Sequence, residues 1–238
     1  MKNEIINKPV MLITGTRNSI GKYLAQYYVE KGFLVVGCSR GNIDYKLKNY
    51  HHFCLNLTDE PLVKKMFSEI RKKYGRLDVL INNAGISSKN HVLLTPLTEV
   101  NDVLNTNFVG TYLFCREAVK LMKRKKFGRI INISSVHVPL ALVGTSIYGA
   151  SKAAVEQFSK VLAKETFDFG VTVNSLSLSV VKNTGMENAL TDKLKNEILN
   201  QTISKVQLSF HDVTNAINFF ISEESEKLTN QVLCLGGV

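Results

Sequence analysis

Seven short apolar runs alternate with longer amphipathic segments along the chain, and this alternation restricts the possible folds. The runs are predicted as strands at Val10–Thr14, Leu34–Cys38, His52–Leu57, Val79–Asn82, Arg129–Ser134, Val171–Leu178 and Val232–Leu235. Helices are predicted between them at Ile20–Lys31, 58–74, 99–125 and Tyr148–Phe167. Apolar strands separated by helices are typical of a parallel sheet that is covered on both faces. We therefore predict one α/β domain over residues 1–238, a doubly wound parallel sheet of about seven strands.

Size and composition are those of an ordinary globular protein. The chain has 238 residues, of which 45% are hydrophobic and 21% are charged. No run approaches the roughly 20 apolar residues that a membrane helix needs, and the first eight residues are too polar for a signal peptide. The four cysteines form no C-x-x-C pair or Cys/His cluster, so we predict reduced, buried thiols and no metal site. We expect a cytoplasmic protein that does not bind a membrane.

A net charge of +10 raises the question of nucleic-acid binding. The densest basic run comprises Lys120, Lys123, Arg124, Lys125, Lys126 and Arg129. This run lies at the end of one predicted helix, where cations are favoured, and at the start of a strand, and no aromatic residues alternate with it as stacking platforms. We predict a solvated helix end and no nucleic-acid partner. Docking of an acidic carrier protein or a phosphorylated substrate is a weaker alternative.

A glycine-bearing turn follows the first predicted strand. Gly15 and Gly21 would let backbone N–H groups approach a pyrophosphate at a helix N-terminus. At the end of the second strand, an acidic residue binds a ribose 2′-hydroxyl and an arginine accommodates a 2′-phosphate. This chain has Ser39 followed by Arg40, and Arg17 adds a second positive charge in the glycine turn. The pattern favours NADP(H) over NAD(H).

Tyr148 and Lys152 lie four residues apart in a predicted helix and therefore share one helix face. A nearby cation favours the phenolate and lowers the tyrosine pKa. Ser135 lies thirteen residues upstream of the tyrosine, at the end of the fifth strand. Each feature alone fits a solvated helix face or a hydroxyl that caps a turn. Together they predict a site that exchanges a proton with a substrate oxygen.

The order of these motifs resembles that of the short-chain dehydrogenase/reductase family, single-domain branch, over nearly the whole chain. The motifs are Thr14-Gly15-x-x-x-Ser19-Ile20-Gly21, Asn82-Asn83-Ala84-Gly85, Asn107, Ser135, and Tyr148 with Lys152. The pattern is similar to that of carrier-protein-linked 3-oxoacyl reductases and of sugar or polyol dehydrogenases. The resemblance implies a Rossmann-like fold and an enzyme that interconverts a carbonyl and a secondary alcohol by hydride transfer with NADP(H).

The resemblance also implies a role for each matching residue. It implies that Tyr148 is the general acid, that Lys152 tunes it and holds the nicotinamide ribose, and that Ser135 donates to the substrate oxygen. Asn107 matches the family asparagine that maintains a relay water. The implied cofactor contacts are Gly15, Arg17, Ser19, Ile20, Gly21, Ser39, Arg40, Asn56, Leu57, Asn83, Ala84, Gly85, Tyr148, Lys152, Val181 and Thr184.

Three departures from the family pattern concern the cofactor. Ser19 replaces a glycine of the turn, Asn56 replaces an aspartate near the adenine, and Leu178-Ser179 replaces Pro-Gly after the sixth strand. We expect cofactor binding that is retained but altered, and a loop that takes a different path or is poorly ordered without ligand. The departures also motivate a second hypothesis, a non-enzymatic NADP-binding regulator or scaffold. The intact set of four catalytic residues argues against it.

The segment 184–207 is amphipathic and is predicted to form a lid and the substrate pocket. Its composition does not identify the substrate, which is expected to be a small carbonyl or alcohol compound, carrier-linked or sugar-like. The resemblance further implies a homodimer or homotetramer. Val155, Phe158, Val161 and Leu162 would serve that interface or equally the core of a single chain.

Overall fold

A seven-stranded parallel sheet runs through residues 8–238, the part of the chain that the computed structural model describes. The strands are β1 (Val10–Thr14), β2 (Leu34–Ser39), β3 (Tyr50–Cys54), β4 (Val79–Asn82), β5 (Gly128–Ser135), β6 (Val171–Leu178) and β7 (Val232–Leu235). Their order in the sheet is β3-β2-β1-β4-β5-β6-β7, which matches the predicted doubly wound arrangement. Residues 1–7, where the signal-peptide argument was made, lie outside the described residues.

Helices cover both faces of this sheet. They are α1 (Ser19–Glu30), α2 (Glu60–Tyr74), α3 (Leu97–Leu104), α4 (Gly110–Lys125), α5 (His137–Leu140), α6 (Ser146–Thr166), α7 (Gly185–Asn188), α8 (Asp192–Asn200) and α9 (Phe210–Ile221). Helices α2, α4 and α6 pack against one face, and α1 and α9 pack against the other. None of the helices in residues 8–238 is long and apolar enough to cross a membrane.

The central strands explain why the sequence reads as continuous apolar runs. Leu12 of β1 packs in the core beneath α2, α4 and α6, whereas its neighbours Met11 and Ile13 pack beneath α1 and α9. Full burial of such a side chain contributes about 1.5–3 kcal/mol. Because both faces are covered, every position of the strand gains from being apolar, and no alternation with polar residues remains.

The order of the strands creates a crevice beyond the carboxyl ends of the central strands. β1 lies between β2 and β4, so the connections that leave these strands diverge and a cleft forms beyond their carboxyl ends. Thr14, the last residue of β1, is buried next to the glycine turn. Its Oγ1 accepts the backbone N–H groups of Asn83 and Ala84, each at 3.0 Å, and thereby joins the ends of β1 and β4.

Two predicted boundaries around the third strand are wrong. β3 ends at Cys54, so Asn56 and Leu57 follow the strand and do not end it. β3 is an edge strand whose residues are only partly buried, so the apolar signal that defines the central strands is weak there. The following helix is capped by Asp59 and not by Thr58, because the Asp59 side chain accepts the Leu62 N–H at 3.0 Å.

The predicted long helix over 99–125 consists of α3 and α4, joined by a π-helical turn at Asn105–Val109. Such turns are rare in proteins as a whole, and those that occur are frequently found at functional sites.

Two predictions about single side chains are also corrected. The expectation of buried cysteines is wrong for Cys54, which is exposed, whereas Cys38 and Cys115 are buried. Arg129 of the basic run is also buried, with its guanidinium 4.5 Å from the centre of the Phe127 ring.

Candidate active site

A cleft of about 450 Å³ lies at the carboxyl ends of β1, β4, β5 and β6. All the predicted site residues except Asn107 line it. They are Gly15, Arg17, Ser19, Ile20, Gly21, Ser39, Arg40, Asn56, Leu57, Asn83, Ala84, Gly85, Ser135, Tyr148, Lys152, Val181 and Thr184. The structure therefore brings motifs that are up to 169 positions apart in the sequence into one cavity.

The glycine turn between β1 and α1 has no room for a side chain at Gly15 or at Gly21. Gly15 has a φ of +75°, and a Cβ on Gly21 would lie 2.1 Å from the Gly15 carbonyl oxygen. Asn18, the N-cap residue of α1, makes no side-chain hydrogen bond to the helix. The first N–H groups of α1 are thus not capped by this side chain, which suits them to binding an anion.

Ser19 shows why the family has a glycine at this position of the turn. Its φ of +48° lies in the left-handed region, which costs a non-glycine residue roughly 1–2 kcal/mol. The side chain has a partner, because Ser19 Oγ accepts the backbone N–H of Gly185 at 3.1 Å. The Ser19 side chain therefore joins the glycine turn to the first residue of α7.

Two guanidinium groups flank the end of β2. Arg17 and Arg40 are both exposed and both line the cleft. Arg17 lies across Gly41, where its Nη1 would be 2.8 Å from a Cβ. Ser39, which stands at the position of the ribose-binding acid, donates its hydroxyl to the Gly41 carbonyl oxygen at 2.7 Å. This end of the cleft carries positive charge.

Aromatic and histidine side chains of β3 hold this basic end in place. Tyr50 Oη donates to Thr16 Oγ1 at 2.8 Å and lies 2.9 Å from His52 Nδ1. His52 Nε2 lies 3.0 Å from Ser39 Oγ, so the network reaches from the glycine turn to the residue before Arg40. The sequence prediction missed it, although the i, i+2 spacing of Tyr50 and His52 places both on one face of a strand.

The residues after β4 and β3 complete the cofactor side of the cleft. Asn83 Nδ2 donates to the Thr14 carbonyl oxygen at 2.9 Å, which fixes the start of the Asn83-Ala84-Gly85 segment. Asn56 is exposed, and its Oδ1 accepts the Thr58 N–H at 3.3 Å. A Cβ on Gly85 would lie 3.4 Å from Lys152 Nζ, so this backbone closely approaches the other half of the site.

Three of the four predicted catalytic residues, Ser135, Tyr148 and Lys152, meet at the floor of the cleft, and Asn107 lies behind it. Asn107, Ser135, Tyr148 and Lys152 come from the π-helical turn, the end of β5 and α6, and they are only 0%, 4%, 7% and 4% exposed. Lys152 Nζ donates to the Ile133 carbonyl oxygen at 2.8 Å and lies 6.0 Å from the centre of the Tyr148 ring. The floor is therefore a desolvated site.

Asn107 lies behind this floor and connects three elements. Its Nδ2 donates to the Ile86 carbonyl oxygen and to Ser151 Oγ, both at 2.9 Å, and its Oδ1 accepts the Ile86 N–H at 2.8 Å. The π-helical turn places this side chain between the segment after β4 and α6. These contacts fix Ser151, the residue that precedes Lys152.

Burial dominates the titration of the floor. It raises the pKa of Tyr148, and a hydrogen bond with Ser135 opposes this rise. Burial lowers the pKa of Lys152 to about 8, and the charge of Glu156 opposes this fall. The pKa of Tyr148 is thus shifted upwards, opposite to the net direction that the sequence predicted, because desolvation of the phenol is the largest contribution. The contribution of Lys152 to this pKa stays a prediction.

His137 is a residue of the floor that the sequence prediction missed. Its Nδ1 lies 2.9 Å from Ser135 Oγ, and its ring meets the Tyr148 ring edge-on, with centroids 5.3 Å apart. Burial lowers the pKa of His137 to about 4, and the charge of Lys89 lowers it further. The imidazole is therefore neutral near pH 7. Its position two residues after Ser135 was the available signal.

The loop after β6 follows a defined path. Val181 pairs with Leu208 in an isolated bridge, and Thr184 Oγ1 donates to the Val181 carbonyl oxygen at 2.9 Å. The same Oγ1 accepts the Glu187 N–H at 3.0 Å as the N-cap of α7. Thr184 lines the cleft, but its hydroxyl proton is already donated within the protein.

Apolar side chains of α7, α8 and the turn between them border the catalytic floor. Met186, Leu190 and Ile198 line the cleft from the predicted lid segment. Lys89, from the segment after β4, donates its Nζ to the Ala189 carbonyl oxygen at 2.9 Å and so contacts the same segment. Residues 184–207 thus border the cavity, whereas their movement as a lid stays a prediction.

Comparison with known proteins agrees with this geometry. A sequence model described as short chain dehydrogenase matches residues 9–195. The 3-oxoacyl-[acyl-carrier-protein] reductase FabG of Salmonella typhimurium is 32% identical, and that of Escherichia coli K12 is 31% identical. Each alignment covers 96% of this chain and 96% of the relative.

Solved structures show the same likeness. ElxO with NADP bound has a TM-score of 0.87 and 31% identity, and the match covers 96% of this chain and 97% of ElxO. A tyrosine-to-phenylalanine variant of ElxO with NADPH bound has a TM-score of 0.87 and 30% identity. This match covers 95% of this chain and 96% of the ElxO chain. The chain therefore belongs to the short-chain dehydrogenase family, and the predicted class, an oxidoreductase with a Rossmann-like fold, is confirmed.

Proposed function

We propose that this protein is an NADPH-dependent reductase of carbonyl compounds, in which Tyr148 protonates the substrate oxygen. One observation carries the proposal: Ser135, Tyr148 and Lys152 are buried together at the floor of a cleft whose other end is basic and rich in glycine. The three buried residues can protonate a developing alkoxide, and the basic, glycine-rich end of the cleft can bind a dinucleotide phosphate.

NADP(H) fits the residues of the cofactor half. The crowded glycines leave backbone N–H groups of α1 for the pyrophosphate, and Arg17 and Arg40 would hold a 2′-phosphate. The ElxO structures were solved with this cofactor, which supports the choice. Bound NADPH supplies a hydride for the carbonyl carbon. Gly85, Val181 and Thr184 would border the nicotinamide end, beside Lys152.

The floor residues handle the proton. Because burial raises the pKa of Tyr148, the phenol keeps its proton at neutral pH and can act as an acid. Ser135 is positioned next to it to donate a hydrogen bond to the same substrate oxygen. Lys152, with a pKa of about 8, carries its charge at neutral pH and would stabilise the phenolate after the transfer. Asn107 holds the segments on both sides of Lys152.

The proposed substrate class is a 3-oxoacyl thioester, because the FabG relatives carry this reaction in their name and match nearly the whole chain. The apolar side chains of Met186, Leu190 and Ile198 at the cleft suit an acyl chain better than a sugar. Four exposed cations at the end of α4, Lys123 to Lys126, would suit an acidic carrier protein.

Self-association through α4 and α6 is the proposed assembly. Of the four apolar residues named from the sequence, Val155 and Leu162 are buried in the single chain, so they belong to its core. Val161 on α6 and Tyr112 on α4 are 45% and 40% exposed and remain for an interface. Sedimentation at micromolar concentration should show a dimer or tetramer, and a monomer would contradict this part of the proposal.

The test of the proposed reaction is NADPH oxidation against three carbonyl classes. The panel comprises a 3-oxobutanoyl thioester, keto sugars and simple ketones, with cofactor binding measured in parallel. We expect oxidation with the thioester and none without a carbonyl compound. Tight NADPH binding with no oxidation of any panel member would contradict the proposal and support the alternative of a non-enzymatic NADP-binding protein.

A further inference from the structure

His137 contacts both hydroxyl-bearing residues of the catalytic floor, the hydroxyl of Ser135 and the ring of Tyr148. Its Nδ1 lies 2.9 Å from Ser135 Oγ, and its own backbone N–H donates to the same oxygen at 3.3 Å. Its ring lies edge-on against the Tyr148 ring, with an interplanar angle of 82°. His137 therefore has a direct influence on where the Ser135 hydroxyl can point.

The position of one proton decides the effect of this contact. A serine hydroxyl has one proton to donate and two lone pairs that accept. If His137 carries its proton on Nε2, the Ser135 hydroxyl donates to Nδ1 and is lost to the substrate. If the proton is on Nδ1, Ser135 Oγ accepts from both the ring and the backbone, and its own proton is left for another acceptor.

The surroundings of the ring favour the proton on Nδ1. Burial keeps the imidazole neutral, so only one of the two nitrogens carries a proton. Within residues 8–238, Nε2 has no hydrogen-bond partner, and the ring lines the cleft together with the positively charged Lys89. With the proton on Nδ1, this N–H group has an acceptor in Ser135 Oγ, whereas a proton on Nε2 would have no acceptor among these residues.

We propose that His137 is a positioning residue that donates from Nδ1 to Ser135 and thereby keeps the Ser135 hydroxyl proton for the substrate oxygen. The inference rests on the proposed function, in which Ser135 contacts that oxygen. It assigns a role in the site to a histidine outside the four residues that the sequence motifs indicated.

Two substitutions separate the nitrogen from the ring. His137→Phe keeps an aromatic edge against Tyr148 but removes Nδ1, whereas His137→Asn loses the ring and keeps an amide donor near the Nδ1 position. We expect His137→Phe to lower turnover of a 3-oxobutanoyl thioester by about 10- to 100-fold, with little change in the NADPH dissociation constant. His137→Asn should restore most of this loss. His211→Phe, at an exposed position of α9, is the matched control and should leave turnover unchanged.

A double substitution tests whether His137 acts through Ser135. In a Ser135→Ala background there is no hydroxyl to position, so His137→Phe should lower turnover by less than about twofold further. The same 10- to 100-fold loss in both backgrounds would show an independent role and would overturn the proposal. Equal turnover of His137→Phe and wild type would also overturn it.

The tautomer can be measured without turnover. Nitrogen-15 NMR of the NADPH-bound protein at neutral pH should show a neutral His137 ring with its proton on Nδ1, and Ser135→Ala should shift the Nδ1 signal. A proton on Nε2 would overturn the proposal. This measurement keeps the inference separate from the proposed function: an inactive protein with the Nδ1 proton contradicts the reaction, and an active protein with the Nε2 proton contradicts only the role of His137.

Discussion

The two ends of the cleft differ in how far their charged side chains are exposed to water. At the catalytic floor, Lys152 is 4% exposed and its ammonium donates to the Ile133 backbone carbonyl, and burial shifts its pKa to about 8. At the basic end, Arg17 and Arg40 are exposed to solvent. A buried charge is screened very little, whereas salt and water weaken an exposed one.

The difference teaches where the chain tolerates change. The floor depends on groups from three elements that must be desolvated together, so a single altered side chain removes a function that nothing nearby replaces. The basic end has two exposed guanidinium groups that line the same cleft, so the loss of one leaves the positive charge of the other. The predictions below test this contrast, from the floor outward.

The largest effect is expected at Tyr148. Tyr148→Phe removes the hydroxyl and keeps the buried ring, so folding and NADPH affinity should stay nearly unchanged. Turnover should fall by about 10²–10⁴-fold, the range for losing a general acid. Single-turnover kinetics with the 3-oxobutanoyl thioester measures this loss. Near wild-type turnover would contradict the assignment of Tyr148.

A second effect concerns the pH dependence of stability. The pKa of Lys152 falls from 10.5 in the unfolded chain to about 8 in the folded protein. Between these pH values the unfolded state binds more protons, so unfolding becomes less favourable as the pH rises. The fully charged lysine destabilises the fold by on the order of 3 kcal/mol below pH ~8. The wild type should therefore gain stability from pH ~8 to ~10.5 relative to Lys152→Met.

Urea unfolding of the two proteins across this pH range measures the difference. Lys152→Met also leaves the Ile133 carbonyl oxygen without its donor, which adds a contribution that does not depend on pH. The slope with pH is thus the informative quantity. Parallel stability curves for the wild type and Lys152→Met would show that the lysine pKa is not lowered by burial.

A smaller effect is expected at the basic end. Arg40→Ala removes one contact to the 2′-phosphate, so NADPH should bind about tenfold more weakly while NADH binding barely changes. Because Arg40 is exposed, the difference should shrink with added salt. Arg71→Ala, an exposed residue in the last turn of α2, removes the same charge away from the cleft and is the control. An equal loss for both cofactors would contradict the role of Arg40.

The smallest effect is expected at Ser19. Ser19→Ala keeps the strained φ of +48° and loses the hydrogen bond to Gly185, whereas Ser19→Gly relieves the strain and loses the same bond. Thermal unfolding should therefore find Ser19→Gly more stable than Ser19→Ala by about 1 kcal/mol. The reverse order would show that Ser19 is not strained.

The sequence predicted the parts of this molecule that local pattern determines. The central strands were predicted correctly because both of their faces are buried, and the glycine turn because its positive φ limits the residue type. β3 was misplaced because it is an edge strand that mixes Tyr50, His51 and His52. The π-helical turn was not predicted because the contacts of Asn107 are to Ile86 and Ser151, far away in the sequence.

Environment limited what could be predicted at the site. The Tyr148–Lys152 spacing placed both residues on one face of α6 but did not show that the tyrosine is desolvated, so the expected direction of its pKa shift was wrong. His137 was missed because its role depends on the packing of α5 against α6. The motifs predicted which residues meet in the cleft, whereas the pKa shifts of Tyr148 and Lys152 depend on burial, which the motifs do not show.

The central claim is that the protein moves a hydride from NADPH to a carbonyl carbon, and isotope transfer tests it most directly. The protein is incubated with NADPH that carries deuterium on the transferred position of the nicotinamide ring and with a 3-oxobutanoyl thioester, and the product is analysed by mass spectrometry and NMR. The account predicts a 3-hydroxy product with one deuterium on the carbinol carbon. An unchanged thioester alongside fully bound, unoxidised NADPH would contradict it.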